Sequence, residues 1–255
     1  MHYLILTKRK IMIFSLCFVL GLFTLLVSFN GISSVVSASN TEKKIPIYCV
    51  DKKEKKISIS FDAAWGNEQT QELLDILSQY NVKTTFFLVG SWVDKYPESV
   101  KAISDAGHDV GNHSNTHPHM TKLSKEKEKE EISLCNEKIY KITNKKPTLF
   151  RPPYGDYNNS VVESVRELGM HCIQWDVDSL DWKDPTSEEM LKKVTESIKP
   201  GSIVLFHNGA KNTPKTLPKT IEAIKNQGYE IVPISELILQ GEYKTDHEGK
   251  QILCN

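Results

Sequence analysis

Strand-like and helix-like segments alternate along this chain from about Lys56, and this alternation constrains the fold more than any other feature of the sequence. Short segments rich in β-branched or aromatic residues, typical of strands, lie at 57–61, 84–89, 109–111, 148–151, 172–177, 203–207 and 230–234. Segments with helical spacing of apolar residues separate them, at 69–79, 96–106, 124–142, 159–168, 188–198 and 217–226. Repeated βα units predict a parallel sheet covered by helices, either a closed barrel or an open doubly wound sheet.

Reactive side chains at the strand ends favour one of these two architectures. They are Asp62, His113, Arg151, Asp178 or Asp181, and His207, each at or just past the carboxyl end of a predicted strand. In a closed barrel every strand end faces one mouth, whereas an open sheet gathers such residues mainly at one switch point. Five strands contributing to one site therefore predict a single-domain α/β barrel, which 255 residues can form.

The charge balance gives no reason to expect a nucleic-acid partner. The formal net charge is zero, but three of the 32 basic residues lie in the first 38, where there is no acidic residue. The rest of the chain therefore has 29 basic against 32 acidic residues. Nucleic-acid binding domains are usually basic, and this one is slightly acidic.

The first 38 residues predict a targeting segment. Lys8-Arg9-Lys10 precedes an uncharged stretch at 11–29, and Val36-Ser37-Ala38 offers small residues where a signal peptidase could cut. The stretch is also close to the ~20 apolar residues that span a bilayer. Cleaved signal peptide and retained membrane anchor both stay open, and either predicts an exported domain. We expect a linker at 39–55, the domain at 56–240 and a C-terminal tail at 241–255.

His113 and His117, four residues apart, can bind one metal ion from a helical turn or a tight loop. The polar residues around them at the end of a short strand can orient the imidazoles through hydrogen bonds. A histidine pair at this spacing also arises by chance, and nearby His119 fits a loop residue equally well. Together with the carboxylate, guanidinium and imidazole at the other strand ends, the pair matches a metal-assisted hydrolase.

Asp62 and Arg151 have sequence surroundings that suit a fixed ion pair. Two prolines follow Arg151, and their rigid backbone suits a guanidinium that clamps a carboxylate. Asp62 ends an apolar strand, where the alternative is an ordinary helix cap or loop aspartate. Trp65 and Gly66 follow directly, an aromatic residue beside a flexible position, which favours a lined pocket.

The segment Asp178-Ser-Leu-Asp181-Trp182 and His207 complete the candidate set. The two aspartates are either loop caps or partners of a catalytic group, and Trp182 suggests an aromatic wall of sugar size. His207 ends a very apolar strand, so it is either a satisfied core histidine or a partly desolvated imidazole. In the second case a nearby carboxylate would set its pKa.

These five segments, in this order, resemble the motifs of carbohydrate esterase family 4, the polysaccharide deacetylases with a NodB-homology domain. Ser60-Phe61-Asp62 is similar to the first motif and His113-Ser-Asn-Thr-His117 to the second. The third, fourth and fifth correspond to Arg151-Pro-Pro-Tyr154-Gly155, Asp178-Ser-Leu-Asp181-Trp182 and Leu205-Phe-His207. The resemblance covers about 56–239. The variant Phe61-Asp-Ala-Ala-Trp-Gly66, with the N-terminal segment, is most similar to sporulation deacetylases of the PdaB type.

The resemblance implies a distorted (β/α) barrel and metal-dependent removal of acetyl groups from a cell-wall glycan such as peptidoglycan. It also implies a protein of the cell wall or spore envelope, with a membrane partner only if the N-terminal segment is retained. The implied metal is divalent, most simply zinc. The implied roles are catalytic for Asp62, His207, Arg151 and Asp181, metal-binding for His113 and His117, and substrate-binding for Tyr154, Trp182 and Leu205.

Ala63 departs from the family pattern. The first motif usually has two adjacent aspartates, a catalytic base and then a metal ligand, and Ala63 has no ligand atom. The metal site keeps two histidines and water, or recruits Asp62 itself, whereas catalytic zinc sites usually have three protein ligands. Two functions therefore compete: a deacetylase, which the acid–base residues favour, and a catalytically impaired glycan-binding protein on the same fold.

Overall fold

The computed structural model describes residues 42–254 and, nearer the amino terminus, residues 7–9, 12, 13, 15 and 17–20. The chain divides into two compact units, 1–43 and 44–255. Most of the predicted leader, 1–38, lies outside the described residues, so the choice between signal peptide and anchor stays a prediction. Among the residues that are described, no helix is both long and apolar enough to cross a membrane.

All labelled elements belong to the second unit. The strands are β1 (Cys49–Val50), β2 (Lys56–Ala63), β3 (Thr85–Leu88), β4 (Asp109–Asn112), β5 (Leu149–Phe150), β6 (His171–Cys172), β7 (Val177–Asp178), β8 (Ile203–His207), β9 (Glu230–Ile231), β10 (Tyr243–Thr245) and β11 (Lys250–Leu253). The α-helices are α1 (Thr70–Gln79), α2 (Gly90–Lys95), α3 (Pro97–Asp105), α4 (Lys125–Thr143), α5 (Asn159–Glu167), α6 (Ser187–Ser197), α7 (Thr213–Asn226) and α8 (Ile234–Leu237). Short 3-10 turns lie at Met120–Lys122, Pro153–Gly155 and Asp181–Lys183.

Seven short parallel strands form the main sheet in the order β6-β5-β4-β3-β2-β8-β7, and β9 pairs with β2. β6 and β7 therefore lie at its two ends, yet only residues 173–176 separate them in sequence. Seven strands laid flat would place these ends about 29 Å apart, at ~4.8 Å per strand. The five steps from Cys172 to Val177 reach at most about 18 Å. The sheet therefore has to curl.

This curvature confirms the predicted distorted (β/α) barrel and corrects one of its strands. The predicted strand at 172–177 is two strands, because the chain crosses there from one end of the sheet to the other. Ile47 lies beside this crossing. Its N–H donates to the Cys172 carbonyl at 2.8 Å, and its carbonyl accepts from the Gln174 N–H at 2.7 Å. The barrel is thus closed by a chain crossing and a flanking segment, not by pairing of β6 with β7.

β2 separates the barrel interior from the helix layer, because successive side chains of a strand point to opposite faces. Its apolar residues at 57, 59 and 61 join the main hydrophobic cluster. Phe61 stacks on Phe86 of β3, with ring centroids 4.8 Å apart. On the alternate positions, Ser60 and Asp62 both accept hydrogen bonds from Arg151. The inner face therefore holds a buried polar network that leads to the end of the strand.

Residues 243–253, predicted as part of a tail, form an ordered hairpin instead. β10 and β11 pair antiparallel, and β11 pairs in parallel with β1, which lies in the predicted linker. Gln251 is fully buried, and its side-chain amide exchanges hydrogen bonds with the Leu239 backbone at 2.8 and 3.1 Å. The polar residues of this segment did not indicate a strand, because the buried side-chain amide of Gln251 is satisfied by backbone groups of a distant segment.

Candidate active site

A cavity of about 820 Å³ opens where the parallel strands end, and eight of the nine predicted site residues line it. They are Asp62, His113, His117, Tyr154, Asp181, Trp182, Leu205 and His207. The ninth, Arg151, is fully buried and is hydrogen-bonded to Asp62. The nine predicted site residues, which span 146 positions of the sequence from 62 to 207, therefore lie together in the structure.

Asp62 and Arg151 form a buried ion pair between the ends of β2 and β5. Arg151 Nη1 donates to Asp62 Oδ1 at 2.7 Å, and Nη2 donates to Ser60 Oγ at 2.9 Å and to the Gln174 carbonyl at 3.1 Å. The guanidinium carbon lies 4.2 Å from the centre of the Phe87 ring. Because several partners hold the planar guanidinium, the position of the carboxylate is fixed with it.

The same contacts set the charge of Asp62. Burial alone would raise the pKa of its carboxyl group, but the charge of Arg151 lowers the pKa below its usual value, and the neighbouring His207 acts in the same direction. The group is therefore ionised at neutral pH. Its second oxygen, Oδ2, lies 3.5 Å from His113 Nε2. A carboxylate placed in this way can accept a proton from a water molecule in the cavity.

A tight loop, not a helical turn, brings His113 and His117 together. Ser114 and His117 have left-handed backbone, with φ of 67° and 61°, which surrounding contacts have to hold in non-glycine residues. Ser114 Oγ accepts from the His117 N–H at 2.9 Å. Glu131 on α4 accepts from two consecutive N–H groups of the loop at 2.9 and 2.8 Å. The two imidazole centroids consequently lie 4.9 Å apart.

The two imidazoles have the chemistry of metal ligands. His113 Nδ1 donates to the Arg151 carbonyl at 2.7 Å, so the lone pair of its Nε2 stays available beside Asp62. Burial lowers the pKa of His113, and burial and the neighbouring His113 ring lower that of His117 to about 4. Both rings are therefore neutral at pH 7. Across the described residues, no group of three or more His, Cys, Asp or Glu side chains could hold a metal. The residues fit a two-histidine site with open positions.

Ala63 adds no ligand atom to this site. It is the last residue of β2, is fully buried, belongs to the main hydrophobic cluster and aligns with Leu88 of β3. Ala64, the next residue, lines the cavity instead. The carboxylate that lies beside the histidines is therefore that of Asp62.

His207 and Asp181 form a second hydrogen-bonded pair, in which the partner shifts the pKa of the reactive group. His207 Nδ1 lies 2.7 Å from Asp181 Oδ1, and Asp181 Oδ2 accepts from the His207 backbone N–H at 2.6 Å and from Thr213 Oγ1 at 2.8 Å. Burial alone would lower the pKa of His207, but the hydrogen bond to Asp181 and its charge raise the pKa above its usual value. The imidazole therefore holds its proton more strongly than a free histidine and can deliver it from Nε2.

Asp62 and His207 are register partners on the neighbouring strands β2 and β8. Adjacent strands lie ~4.8 Å apart, so the carboxylate and the imidazole stand side by side. Their pKa values shift in opposite directions, the carboxyl downward and the imidazole upward. Two titratable groups whose environments separate their pKa values in one cavity are the usual signature of a base and an acid.

The predicted substrate-binding residues differ in exposure. Tyr154 and Trp182 are 58% and 57% exposed, whereas Leu205 is 2% exposed. Tyr154 has left-handed backbone, with φ of 61°, and its ring lies 4.5 Å from His117. His119 stacks on Tyr154 at 4.4 Å. The third histidine of the loop therefore supports an aromatic wall of the cavity.

Several functional residues were missed from the sequence. Ser60, Gln174 and Phe87 surround the Arg151 guanidinium, Glu131 fastens the histidine loop, and Thr213 completes the shell of Asp181. Ser60 offered the one available signal, a hydroxyl within an apolar strand. The other partners lie 15 to 64 positions away in sequence from the groups that they contact, so no local pattern indicates them.

The fold and the site define a (β/α)-barrel protein with a hydrolase-type acid–base centre. The family model described as polysaccharide deacetylase matches residues 50–173. The chain is 34% identical over 207 residues to the peptidoglycan-N-acetylmuramic acid deacetylase PdaA of Bacillus subtilis, covering 80% of this chain and 79% of that protein. It belongs to the polysaccharide deacetylases of carbohydrate esterase family 4.

Two further relatives bear on its function. The peptidoglycan-N-acetylglucosamine deacetylase PgdA of Listeria monocytogenes is 40% identical over 194 residues, 76% of this chain and 41% of that protein. The chain thus spans about two fifths of the length of PgdA. Among solved structures, BA3943 of Bacillus anthracis, described as a CE4 family pseudoenzyme, is 37% identical with a TM-score of 0.74, covering 81% of this chain and 70% of that chain.

Proposed function

We propose that this protein hydrolyses N-acetyl groups of a cell-wall polysaccharide of the peptidoglycan class. The proposal rests mainly on the pKa values of Asp62 and His207, which are shifted in opposite directions. The two residues lie on adjacent strands in one cavity, each beside a buried residue of opposite charge. The names of its relatives PgdA and PdaA support the substrate class. The products would be acetate and a free amino sugar.

The chain's own residues account for the proton transfers of this reaction. Asp62, held by Arg151, accepts a proton as water attacks the acetyl carbon. The Tyr154 backbone N–H donates to the oxygen on which negative charge develops. His207, oriented by Asp181, then donates its proton to the departing amine nitrogen. Trp182 and Leu205 form part of the wall around the acetyl group.

His113 and His117 would hold a divalent metal, most simply zinc. When bound there, such an ion polarises the acetyl carbonyl and makes the attacking water more acidic. Three protein ligands are usual at catalytic zinc, so we propose that Ala63 leaves the site weak.

Replacing His113 or His117 with alanine should weaken zinc binding by at least about tenfold, because each change removes one of the two imidazole ligands. Equilibrium dialysis followed by metal analysis measures this effect directly. His119→Ala is the matched control, since that histidine stacks on Tyr154 in the same loop, and it should bind zinc as the unmodified protein does. Equal zinc content in both test variants and the control would show that the metal site is elsewhere.

A glycan-binding protein without catalysis is the second candidate, favoured by Ala63 and by the similarity to a CE4 pseudoenzyme. Incubation of the purified protein with zinc and peptidoglycan fragments separates the two. The deacetylase releases acetate and free amine in equal amounts, above a protein-free control. Binding of the fragments without either product would support the binding protein.

We also propose that the protein is exported, to the cell wall or, in the sporulation setting that the resemblance implies, to the spore envelope. The basic and apolar segment at the amino terminus supports this. Fractionation of cells and spores, with detection in the cytosol alone, would overturn it.

A further inference from the structure

Trp65 lines the cavity although 65% of its surface is exposed. Its ring meets that of His117 edge-on, with centroids 5.2 Å apart. None of the proton transfers above uses it. A large apolar side chain left open beside a reactive centre is typical of a binding surface, and the indole face offers the flat apolar area that the C–H face of a sugar ring covers.

The backbone that carries Trp65 is held firmly despite this exposure. The carbonyl of Gly66 accepts from the indole Nε1 of the buried Trp92 at 2.6 Å and from Asn208 Nδ2 at 3.4 Å. Gly209 packs against the Trp65 carbonyl so closely that a Cβ atom there would lie 2.8 Å from the oxygen. The backbone that presents the exposed indole is therefore fixed, which lowers the entropy lost when a ligand stacks on the ring.

Negative charge accompanies this indole. Glu68 Oε2 lies against the same turn, where a Cβ atom added to Gly66 would meet it. Glu68, Asp178 and Asp184 line the cavity together with a single lysine, Lys211. A sugar that carries a carboxylate would meet like charge here, whereas a neutral or amine-bearing sugar would not.

We propose that Trp65 is the stacking platform for an uncharged sugar ring next to the sugar that is deacetylated, so that the protein prefers glycan in which this neighbouring sugar carries no free carboxylate. This inference rests on the proposed function. Trp65 acts as a specificity-determining residue, and Glu68 supplies the discrimination against carboxylates.

Titration calorimetry with the neutral N-acetylglucosamine tetramer tests the platform without requiring turnover. Trp65→Ala should raise the Kd by about tenfold, and Trp65→Phe should restore most of the affinity. Tyr140→Ala, which removes an exposed aromatic ring of α4 outside the cavity, is the matched control and should bind normally. In acetate-release assays the Trp65→Ala loss should fall mainly on KM, with kcat reduced less than about threefold.

The charge selection is tested with a peptidoglycan tetramer whose muramic acid units carry free carboxylates. The unmodified protein should bind it several-fold more weakly than the neutral tetramer, and Glu68→Gln should narrow that difference. Unchanged Kd for Trp65→Ala, or stronger binding of the carboxylate-bearing tetramer, would overturn the inference. Failure of the proposed function is a different result, namely tetramer binding that depends on Trp65 without any acetate release.

Discussion

Asp62→Asn should lower the rate of acetate release by about 10²–10⁴-fold, the usual contribution of a general base. Asparagine keeps the shape of the side chain but cannot accept the proton. The same change leaves the fully buried Arg151 without its counter-charge, and loss of one partner of a buried pair costs about 3–5 kcal/mol of folding free energy. Steady-state kinetics and chemical unfolding measure the two effects separately.

The stability loss has a defined pH dependence. Folding lowers the pKa of Asp62, so the ion pair stabilises the native state above the unfolded pKa of about 4 and loses this effect as pH falls through the lowered pKa. The stability difference between the two proteins should therefore shrink in acid. Asp184→Asn is the matched control, since its exposed carboxylate lines the same cavity and its left-handed backbone suits asparagine. A rate loss below about threefold for Asp62→Asn would exclude the base role.

His207→Ala should also lower deacetylation by about 10²–10⁴-fold, because the amine would leave without a proton. The free energy of unfolding should change less than in Asp62→Asn, since Asp181 keeps its hydrogen bonds to the backbone N–H of residue 207 and to Thr213. Comparison of an N-acetyl sugar with 4-nitrophenyl acetate isolates the role of the acid. The aryl oxide leaves without protonation, so His207→Ala should approach the unmodified protein on the ester.

Asp62→Asn should, in contrast, impair hydrolysis of both substrates, because both need an activated water. Equal losses of His207→Ala on the amide and the ester would contradict proton delivery to the leaving group. They would indicate that His207 binds the substrate or holds the site together.

Most of the candidate site residues could be placed near one another from the sequence, because they lie at or just past the end of a strand. Parallel strands that start from one layer present their carboxyl ends together, so Asp62, His113 and His207 could be placed at one mouth before any contact was known. These inferences need only local periodicity and the rule of parallel pairing.

What the sequence did not predict depends on contacts between distant segments. The break between β6 and β7 follows from the curvature of the whole sheet, and the segment at 172–177 looks like one strand. The left-handed backbone of Tyr154 is set by surrounding contacts, since a tyrosine rarely adopts it. The buried position of Ala63 also required coordinates, because its family resemblance pointed to the metal site.

The pH profile of kcat/KM for acetate release, measured with saturating zinc, tests whether Asp62 and His207 act as base and acid. Asp62 has to be ionised and its pKa is lowered, while His207 has to be protonated and its pKa is raised. We therefore expect a broad bell-shaped profile whose alkaline limb lies above the usual histidine pKa of about 6.5. Asp181→Asn removes the charge that raises the pKa of His207, so its alkaline limb should move to lower pH while the acid limb stays in place. An alkaline limb that is the same in both proteins would contradict the assignment of Asp62 and His207 as a tuned base and acid.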